Sequence, residues 1–516
     1  MNITYESLLP IQISSSPTIL EECSKLYSEN YGVWSNFNPE NKLRGRNIKL
    51  SVSKLSGWFN NNSSLYIAKN ENREIIGYAI AFKDKEPKAK KHIAWVSQLV
   101  VHKDYRNSDV AKNLLYSIWG ESKNFAWGIL SANPYAIRAL EKATRRRCNP
   151  KEIEKNIEKV MNLCKKHLPY VNSNTTYLVS KDMAAINTQF YVDHMEVPKM
   201  IENVTTTHTP WLLGSLEEGW EWIGVTFNSQ KQIELSAEEI KEMIETSDMV
   251  TKKAYARMLI SKEQKWMEHT CSEVDYIVEN LKIPEGGIIY DFGCGVGRHV
   301  LELKKRGYEA YGVDYLDCNI EKAKSQANNS GMKGDEIFHL NDCRTINLTK
   351  LADAIICVYD VIGSFVEEND NIKIIKNIVQ NLKDGGKAII SVMNYEMTED
   401  IATQKFSFAK EPNKLLELEA SQTMEKTGDV FNPNFFMVDT DTHVVYRKER
   451  FESGELPTEL IVRDRRFSKK EICDMCEKNG LTVKKVTYVN AKDWREERIS
   501  TDIKAKEILL ICEKAI

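Results

Sequence analysis

Residues 288–298 read IIYDFGCGVGR and join an apolar, β-branched run to a segment with helical spacing. Gly293 and Gly295 allow a tight turn and a close approach of a ligand to the backbone, and Gly297 lets the helix pack against the strand. Asp314 ends the next predicted strand about twenty residues downstream, a spacing that suits a carboxylate accepting hydrogen bonds from both hydroxyls of a ribose. The sequence therefore predicts a strand, a turn and a helix that bind a nucleoside.

Predicted strands and helices alternate regularly from about residue 256 to the C-terminus. This order predicts a parallel sheet with helices on both faces, and ligands of such sheets bind at the carboxyl ends of the strands. An insertion at roughly residues 395–466 contains segments that alternate polar and apolar side chains, as antiparallel strands do. We therefore expect an α/β fold in which a doubly wound sheet carries an inserted antiparallel lid.

The acids and glycines of the turn discriminate between nucleoside ligands. The glycines are spaced GxGxG, and Asp291 precedes the first of them. A carboxylate at that position would repel a pyrophosphate but would attract a cationic ligand head. This pattern favours a sulfonium-bearing amino acid nucleoside over NAD or FAD.

Residues 291–299, DFGCGVGRH, resemble motif I of the class I S-adenosylmethionine (SAM)-dependent methyltransferases, and the resemblance extends over roughly residues 256–516. It implies a Rossmann-like sheet, SAM as the cofactor and direct methyl transfer. The resemblance implies that the turn lines the methionine part of SAM and that Asp314 binds the ribose. It also implies that Asp342 and Cys343 lie beside the adenine and that Tyr359 lies beneath the sulfonium. The cofactor-binding residues that the resemblance implies are Asp291, Gly293, Cys294, Gly295, Gly297, Arg298, Asp314, Tyr315, Asp342, Cys343, Val358 and Tyr359.

The residues after the fourth predicted strand bear on the methyl acceptor. Enzymes that methylate base amines or glutamine amides usually carry Asn/Asp-Pro-Pro-aromatic there, whereas this chain has Tyr-Asp-Val-Ile-Gly at 359–363. Asp360 either binds an acceptor amine or acts as a base, or it caps a helix, and both interpretations stay open. The inserted lid resembles those of small-molecule methyltransferases, and its basic groups suit an acidic acceptor. The candidate catalytic residues are Tyr359, Asp360, Tyr395 and His443.

The N-terminal region carries a second resemblance. Residues 92–115, HIAWVSQLVVHKDYRNSDVAKNLL, and 131–143, SANPYAIRALEKA, resemble the central units of the GNAT acyltransferase superfamily over roughly residues 1–150. There a helix N-terminus binds the pyrophosphate of acetyl-CoA. Asp109 stands where that family has glycine, and Leu140 where it has a tyrosine that protonates the leaving thiolate. The residues implied for CoA binding are Leu99, Val101, Arg106, Ala111 and Asn133.

Composition limits the remaining classes of function. The chain has 516 residues and a formal net charge of −3, which argues against a dedicated nucleic-acid binder because such domains are usually clearly basic. Its eleven cysteines include one C-x-x-C pair, Cys473 and Cys476, in a predicted helix, where two small residues are a better interpretation than a metal or redox site. Residues 1–16, MNITYESLLPIQISSS, do not predict a signal peptide, and no apolar run approaches the length of about 18 residues that predicts a spanning helix. We expect a cytoplasmic protein without a metal ion or a membrane partner.

The predicted organisation is a GNAT-like domain at 1–185, a connecting region at 186–255 and a methyltransferase domain at 256–516. The favoured function is methylation of a small molecule, with an N-terminal domain of open activity and an open oligomeric state. A bifunctional acetyltransferase and methyltransferase is one alternative. A methyltransferase of RNA or protein, recruited by the N-terminal domain, is another, and a protein that only senses SAM is a third.

Overall fold

The computed structural model describes residues 3–14, 16–59, 63–83, 92–261, 265–426, 429–451, 458–490 and 493–515. The chain forms two compact units. The N-terminal unit comprises Met1–Val250 together with Arg450–Leu460, and the C-terminal unit comprises Thr251–Glu449 together with Ile461–Ile516. Among the described residues, no helix combines the length and the apolar character that crossing a membrane requires.

The N-terminal unit is built on one eight-stranded sheet of order β1-β2-β3-β4-β5-β8-β7-β6. Its elements are β1 Thr4–Leu8, α1 Pro10–Ser14, α2 Pro17–Asn30, α3 Val52–Ser56, β2 Ser63–Lys69, β3 Ile75–Lys83, β4 Ile93–Val101, α4 Val110–Trp119, β5 Ala126–Ser131, α5 Pro134–Thr144, α6 Pro150–His167, β6 Tyr177–Ser180, β7 Met183–Asn187, α7 Val197–Val204, β8 Trp220–Phe227 and the part of α8 Ala237–Ser261 up to Val250. The predicted connecting region, 186–255, contributes β8, which pairs antiparallel with β5 and β7.

Strands β4 and β5 are the parallel pair at the centre of this sheet. Their register runs from Ile93 opposite Ala126 to Val96 opposite Ile129, although both strands continue beyond these residues. The register between β3 and β4 shifts at Ser97, where β4 has one extra residue. An extra residue of this kind bends a strand and increases its twist. This bend in β4 explains why its pairing with β5 ends at Val96.

The C-terminal unit also contains an eight-stranded sheet, of order β11-β10-β9-β12-β13-β21-β19-β20. Its elements are α9 Thr270–Leu281, β9 Ile288–Phe292, α10 Arg298–Lys305, β10 Glu309–Asp314, α11 Asp317–Asn329, α12 Gly334–Ile337, β11 Phe338–Leu340, β12 Ala352–Cys357, α13 Glu368–Asn381, β13 Leu382–Met393, α14 Tyr395–Ile401, β14 Lys405–Phe406, β15 Ala420–Ser421, α15 Thr423–Lys426, β16 Phe436–Asp439, β17 Val444–Phe451, β18 Thr458–Arg465, α16 Lys469–Lys478, β19 Leu481–Asn490, β20 Asp493–Arg498 and β21 Glu507–Lys514.

The first five strands in this order are parallel, and β21 enters antiparallel between β13 and β19. Buried apolar clusters cover both faces of the sheet, one centred on Ile355 and Ile390 and the other on Ile356 and Ile389. Neighbouring residues of one strand therefore point to opposite cores, as expected for a sheet covered on both sides. The predicted doubly wound α/β fold is confirmed.

The insertion forms a separate five-stranded sheet, which we call the lid sheet. Strands β16 and β17 pair antiparallel, as the alternating pattern predicts. The two-residue strands β14 and β15 instead pair parallel, with β16 and β17 respectively. These two short strands lie outside the segments whose alternation predicts antiparallel strands, because two residues are too few to show a periodicity.

Candidate functional site

The glycine turn, residues 293–297, connects β9 to α10 in left-handed backbone conformations. Gly293, Gly295 and Gly297 have φ values of 77°, 53° and 81°. A Cβ on Gly293 would lie 2.4 Å from Val361, and one on Gly297 would lie 2.4 Å from the ring of Phe338. A Cβ on Gly295 would meet no atom within 4 Å. The outer glycines are thus required by packing, whereas the middle one borders open space at the carboxyl end of β9.

The side chain of Asp314 holds this turn. Its Oδ2 accepts hydrogen bonds from Gly295 N at 2.9 Å and from Asn319 Nδ2 at 3.3 Å, and its Oδ1 accepts one from Leu316 N at 2.8 Å. Burial raises the pKa of Asp314, and the two backbone N–H groups and Asn319 oppose that rise because they stabilise the carboxylate. The acid at the end of β10 is therefore both buried and fixed beside Gly295.

A buried cluster around Glu273 of α9 borders the first turn of α10. Glu273 accepts hydrogen bonds from Arg298, from His299 Nε2 at 2.8 Å and from the hydroxyl of Tyr359. Although burial favours the neutral acid, the His299 hydrogen bond and the Arg298 charge hold the pKa of Glu273 below its ordinary value. His299 Nδ1 lies 3.6 Å from Oδ2 of Asp291. One histidine thus connects the acid that precedes the glycine turn to the acid of α9.

Tyr359 follows the buried residue Val358 at the end of β12 and adopts a left-handed backbone with a φ of 67°. Its N–H donates to Ser391 Oγ at 2.5 Å, and the guanidinium of Arg298 lies 5.0 Å from the centre of its ring. A tyrosine costs free energy in this conformation, and such residues concentrate at functional sites. Its side chain and its backbone are therefore held by separate partners.

Burial raises the pKa values of two carboxyl groups close to Tyr359. Glu507, the first residue of β21, is 4% exposed, and among the described residues its Oε2 finds no hydrogen-bond partner. Burial raises the pKa of Glu507 to about 8, and the charges of Glu273 and Asp360 add to that rise. Burial also raises the pKa of Asp360, as does the charge of Asp464. Glu507 can therefore exchange a proton near neutral pH, which is the property of a general acid or base.

The lid sheet places a buried ion cluster next to Asp360. Arg466 is fully buried, and its guanidinium donates to Asp464 Oδ2 at 2.9 Å and to Thr398 Oγ1 at 2.8 Å. Arg447 donates to the other oxygen of Asp464. The positive charges of Arg447 and Arg466 both favour the ionised form of Asp360. Asp464 and Arg466 belong to the run RDRR at residues 463–466. From the sequence alone, such a run of charged residues is expected to be exposed to solvent.

The other two catalytic candidates contact each other. The rings of Tyr395 and His443 stack with their centres 3.7 Å apart, and His443 Nδ1 lies 3.1 Å from Oε2 of Glu471. Glu471 also caps α16, where Ser468 and Glu471 exchange side-chain and backbone hydrogen bonds. The structure therefore places these two residues in a packing contact between the lid sheet and α16.

The residues after β10 and β11 form a polar and aromatic edge beyond the turn. Asp342 binds Arg344 through both oxygens, with Nε distances of 3.1 Å and 3.0 Å, and this hydrogen bonding outweighs burial and lowers the pKa of Asp342. The Arg344 guanidinium lies 4.2 Å from the centre of the Phe365 ring. Tyr315 is 38% exposed, with its ring centre 6.1 Å from that of Phe365. Cys343 is buried beside them, and burial raises its pKa to about 12.

In the N-terminal unit, the loop before α4 is held by the protein's own side chains. Arg106 donates a hydrogen bond to the carbonyl of Asn30, and burial lowers its pKa. Asp109 precedes α4 in a left-handed conformation with a φ of 54°, and its carboxylate lies 3.4 Å from Lys112 Nζ and 3.5 Å from Lys142 Nζ. An acid with two lysines therefore lies at the N-terminus of α4.

The other CoA candidates border the β4–β5 pair and the neighbouring helices. Leu99 and Val101 are half-buried on β4, past the end of its pairing with β5, and Ala111 lies half-buried in the first turn of α4. Asn133 caps α5 by accepting a hydrogen bond from Tyr135 N at 2.9 Å. Leu140 is fully buried in α5, where it carries no proton to donate.

Comparisons with known proteins match two regions of the chain. Residues 289–386 match the family model of a methyltransferase domain, and residues 21–144 match that of the acetyltransferase (GNAT) family. A ubiquinone biosynthesis O-methyltransferase of Rickettsia canadensis (strain McKiel) is 31% identical over 126 residues, 23% of this chain and 50% of that protein. A carboxy-S-adenosyl-L-methionine synthase of Shewanella loihica is 28% identical over 153 residues, 28% of this chain and 62% of that protein.

Among solved structures, a SAM-dependent methyltransferase from Clostridium acetobutylicum aligns with a TM-score of 0.36 at 15% identity, covering 50% of this chain and 95% of its own. The chain spans about half the length of the first curated relatives it matches. Both family resemblances that the sequence motifs indicate are confirmed by the family models. The chain therefore carries a methyltransferase domain, matched over residues 289–386, and a domain of the GNAT acetyltransferase family, matched over residues 21–144.

Proposed function

We propose that this protein transfers a methyl group from SAM to a small-molecule acceptor in its C-terminal unit. The observation that carries the proposal is the open space at Gly295 beside the buried carboxylate of Asp314. A nucleoside fits there because the backbone bends away from it and an acid is held at its edge. SAM supplies, when bound, an activated methyl group on a cationic sulfur.

The residues around the turn suit the parts of SAM in order. Asp291 would attract the ammonium of the methionine part, and Asp314 would accept hydrogen bonds from the ribose with its remaining lone pairs. Tyr315 and Phe365 offer aromatic surface to the adenine, beside Cys343 and Asp342. Arg298 is engaged by Glu273 and Thr270, so its reach to the cofactor carboxylate would require those contacts to be shared.

We propose an acceptor whose reacting oxygen or nitrogen atom loses a proton when it receives the methyl group. Asp360 would take up that proton, because it directly follows Tyr359 and burial raises its pKa. Glu507, whose pKa is raised to about 8, is mostly protonated at pH 7 and would not act as the base. The positive charges of the buried residues Arg447 and Arg466 would favour the ionised form of Asp360, which is the form that acts as a base. The printed name of the first curated relatives, ubiquinone biosynthesis O-methyltransferase, supports a small molecule with a hydroxyl group as the acceptor.

Isothermal titration of the full chain with SAM, its demethylated product and NAD tests this proposal. We expect SAM and the product to bind and NAD to give no heat of binding. Asp314→Ala should weaken SAM binding at least tenfold, because it removes the ribose partner and releases Gly295. Binding of NAD without binding of SAM would refute the proposal. Binding of SAM without turnover across an acceptor panel would instead indicate a SAM sensor.

Acetyl-CoA binding by the N-terminal unit is a second candidate function. The end of pairing between β4 and β5 favours it, since residues beyond Val96 and Ile129 leave their backbone groups without a partner from the other strand. Asp109 opposes it, because a carboxylate at the N-terminus of α4 would face the pyrophosphate. Acetyl transfer, which would make the protein bifunctional, additionally needs a proton donor other than Leu140. Titration with acetyl-CoA and with desulfo-CoA tests binding apart from turnover.

We also propose a reducing, cytoplasmic setting and an acceptor other than nucleic acid. All eleven cysteines are free thiols in the structure, which supports a reducing compartment. The net charge of −3 supports a small molecule rather than RNA. RNA binding with a steep dependence on salt would contradict this assignment.

A further inference from the structure

Glu273 is a buried carboxylate that holds side chains from two neighbouring segments of the C-terminal unit. It lies on α9 and is 2% exposed. Its Oε2 accepts hydrogen bonds from Arg298 and from His299 Nε2, the latter at 2.8 Å, and its Oε1 accepts one from the hydroxyl of Tyr359. Arg298 and His299 begin α10, which follows β9, whereas Tyr359 follows β12. One side chain of α9 thus connects both segments.

The two segments border the edge of the sheet where we place the cofactor. Strands β9 and β12 pair parallel, with Asp291 opposite Ile356, so their carboxyl ends lie side by side. Ligands of doubly wound sheets bind outside such carboxyl ends. Gly295, which borders open space, lies between Asp291 and Arg298 in the sequence. Movement of either segment would therefore change the shape of the proposed SAM site.

His299 extends the contacts of Glu273 to the acid before the glycine turn. Nδ1 of His299 lies 3.6 Å from Oδ2 of Asp291, while Nε2 of the same ring is bound to Glu273. The hydrogen bond at one ring nitrogen fixes the direction and the role of the other. Asp291 is the residue that we propose to attract the ammonium group of SAM. Glu273 therefore supports the methionine end of the site through His299.

The packing of α9 does not depend on this carboxylate. Val274, Ile277 and Leu281 of the same helix are buried in the apolar cluster that covers one face of the sheet. A carboxylate costs free energy to bury, and an apolar side chain of similar size often packs at least as well in such a position. The carboxylate of Glu273 adds three hydrogen bonds, and these give its partners a defined position.

We propose that Glu273 is a positioning residue for the SAM site, which fixes Arg298, His299 and Tyr359 relative to one another. This inference rests on the proposed function, because it concerns binding of the same cofactor. Glu273 acts through these three side chains, and no bond is formed or broken at its carboxylate. It lies outside residues 289–386, which match the methyltransferase family model, so the family match does not assign this role.

Isothermal titration of the full chain with SAM compares two substitutions of Glu273. Glu273→Leu keeps an apolar bulk but removes both acceptor oxygens, so SAM affinity should fall about tenfold. The amide of Glu273→Gln can accept from Arg298 and His299 with its oxygen and donate to the hydroxyl of Tyr359 with its nitrogen. This variant should therefore retain SAM affinity within about threefold of wild type. If Glu273 served only as the charge of a buried ion pair, both variants would be equally weak.

Two variants of His299 test the same contacts without altering the carboxylate. His299→Gln keeps an N–H donor near the position of Nε2, which faces Glu273, whereas His299→Asn keeps one near the position of Nδ1, which faces Asp291. Because we assign the positioning to Glu273, the glutamine variant should bind SAM within about threefold of wild type and the asparagine variant about tenfold more weakly.

Glu302→Leu is the matched control, because Glu302 also lies on α10 and pairs with Arg306 at 3.1 Å. It should bind SAM within about twofold of wild type. Thermal melts identify any variant that fails to fold, and the His299 pair keeps the test decisive if Glu273→Leu does.

The outcomes separate this inference from the proposed function. Absence of SAM binding by wild type would refute the proposed function, and the role of Glu273 with it. If wild type binds SAM, the role of Glu273 alone is overturned when folded Glu273→Leu binds SAM like wild type or when Glu273→Gln is as weak as Glu273→Leu. Tighter binding by His299→Asn than by His299→Gln would overturn it as well.

Discussion

The carboxylate of Asp314 lies 2.9 Å from the backbone nitrogen of Gly295, nineteen positions earlier in the chain. The acid that the motif assigns to the ribose is thus also a support of the turn that would contact the methionine part. A ligand that bridges the two would bind a preformed site, which lowers the entropic cost of association. This contact makes the turn and the acid one functional element.

Gly295→Ala should reduce SAM affinity at least tenfold. The new methyl group would project into the open space where we place the cofactor, because a Cβ at Gly295 meets no protein atom within 4 Å. Gly307→Ala is the matched control, since Gly307 also has a positive φ and open surroundings. Each substitution should cost about 1 kcal/mol of stability through its backbone conformation. Calorimetry and thermal melts check both effects, and equal SAM affinity in the two variants would contradict the site.

Glu507→Gln should stabilise the protein at high pH. Burial raises the pKa of Glu507 from 4.5 to about 8, so the folded state loses stability as pH rises through that value and Glu507 ionises. The amide cannot ionise, and the variant should gain on the order of 3 kcal/mol over wild type at pH 9 relative to pH 5. Urea unfolding at the two pH values measures the difference. Glu234→Gln should show no such gain, and a constant difference for Glu507→Gln would refute the raised pKa.

Asp109→Gly should strengthen binding of acetyl-CoA. The backbone of Asp109 already has a φ of 54°, so glycine fits without rearrangement, and Lys112 and Lys142 would become available to phosphate groups. Asp104→Asn removes a nearby exposed acid and serves as the control for net charge. Calorimetric titration should show an affinity increase of severalfold for Asp109→Gly alone. If both variants gain equally, the loop before α4 is not the pyrophosphate site.

Arg466→Leu should destabilise the C-terminal unit by about 3–5 kcal/mol, because it leaves buried Asp464 with one cation in place of two. Lys383→Ala removes a more exposed pair, 2.8 Å from Asp353, and should cost about 1 kcal/mol or less. Urea denaturation measures both. A similar loss in the two variants would mean that the lid cluster is solvated rather than buried.

The sequence predicted those parts of the site that adjoin one another along the chain. The β9–turn–α10 unit and Asp314 are local in sequence, so glycine spacing and strand periodicity are sufficient to identify them. Glu273 and Glu507 were missed because their positions depend on topology. Glu507 lies close to Tyr359 because β21 inserts between β13 and β19. The residues next to Glu507 in the sequence do not distinguish it from a glutamate on the surface.

The methyltransferase family match ends at residue 386, before the lid sheet and β21 begin. Arg447 belongs to the lid sheet, Arg466 directly follows its strand β18, and Glu507 is the first residue of β21. The matched residues therefore include the turn and strands where we place the cofactor, whereas the groups that we propose to face the acceptor lie outside the match. Two proteins that share the cofactor-binding strands can therefore differ in the molecule that they methylate. A search for the natural acceptor should start from the charged residues of the lid sheet rather than from the names of relatives.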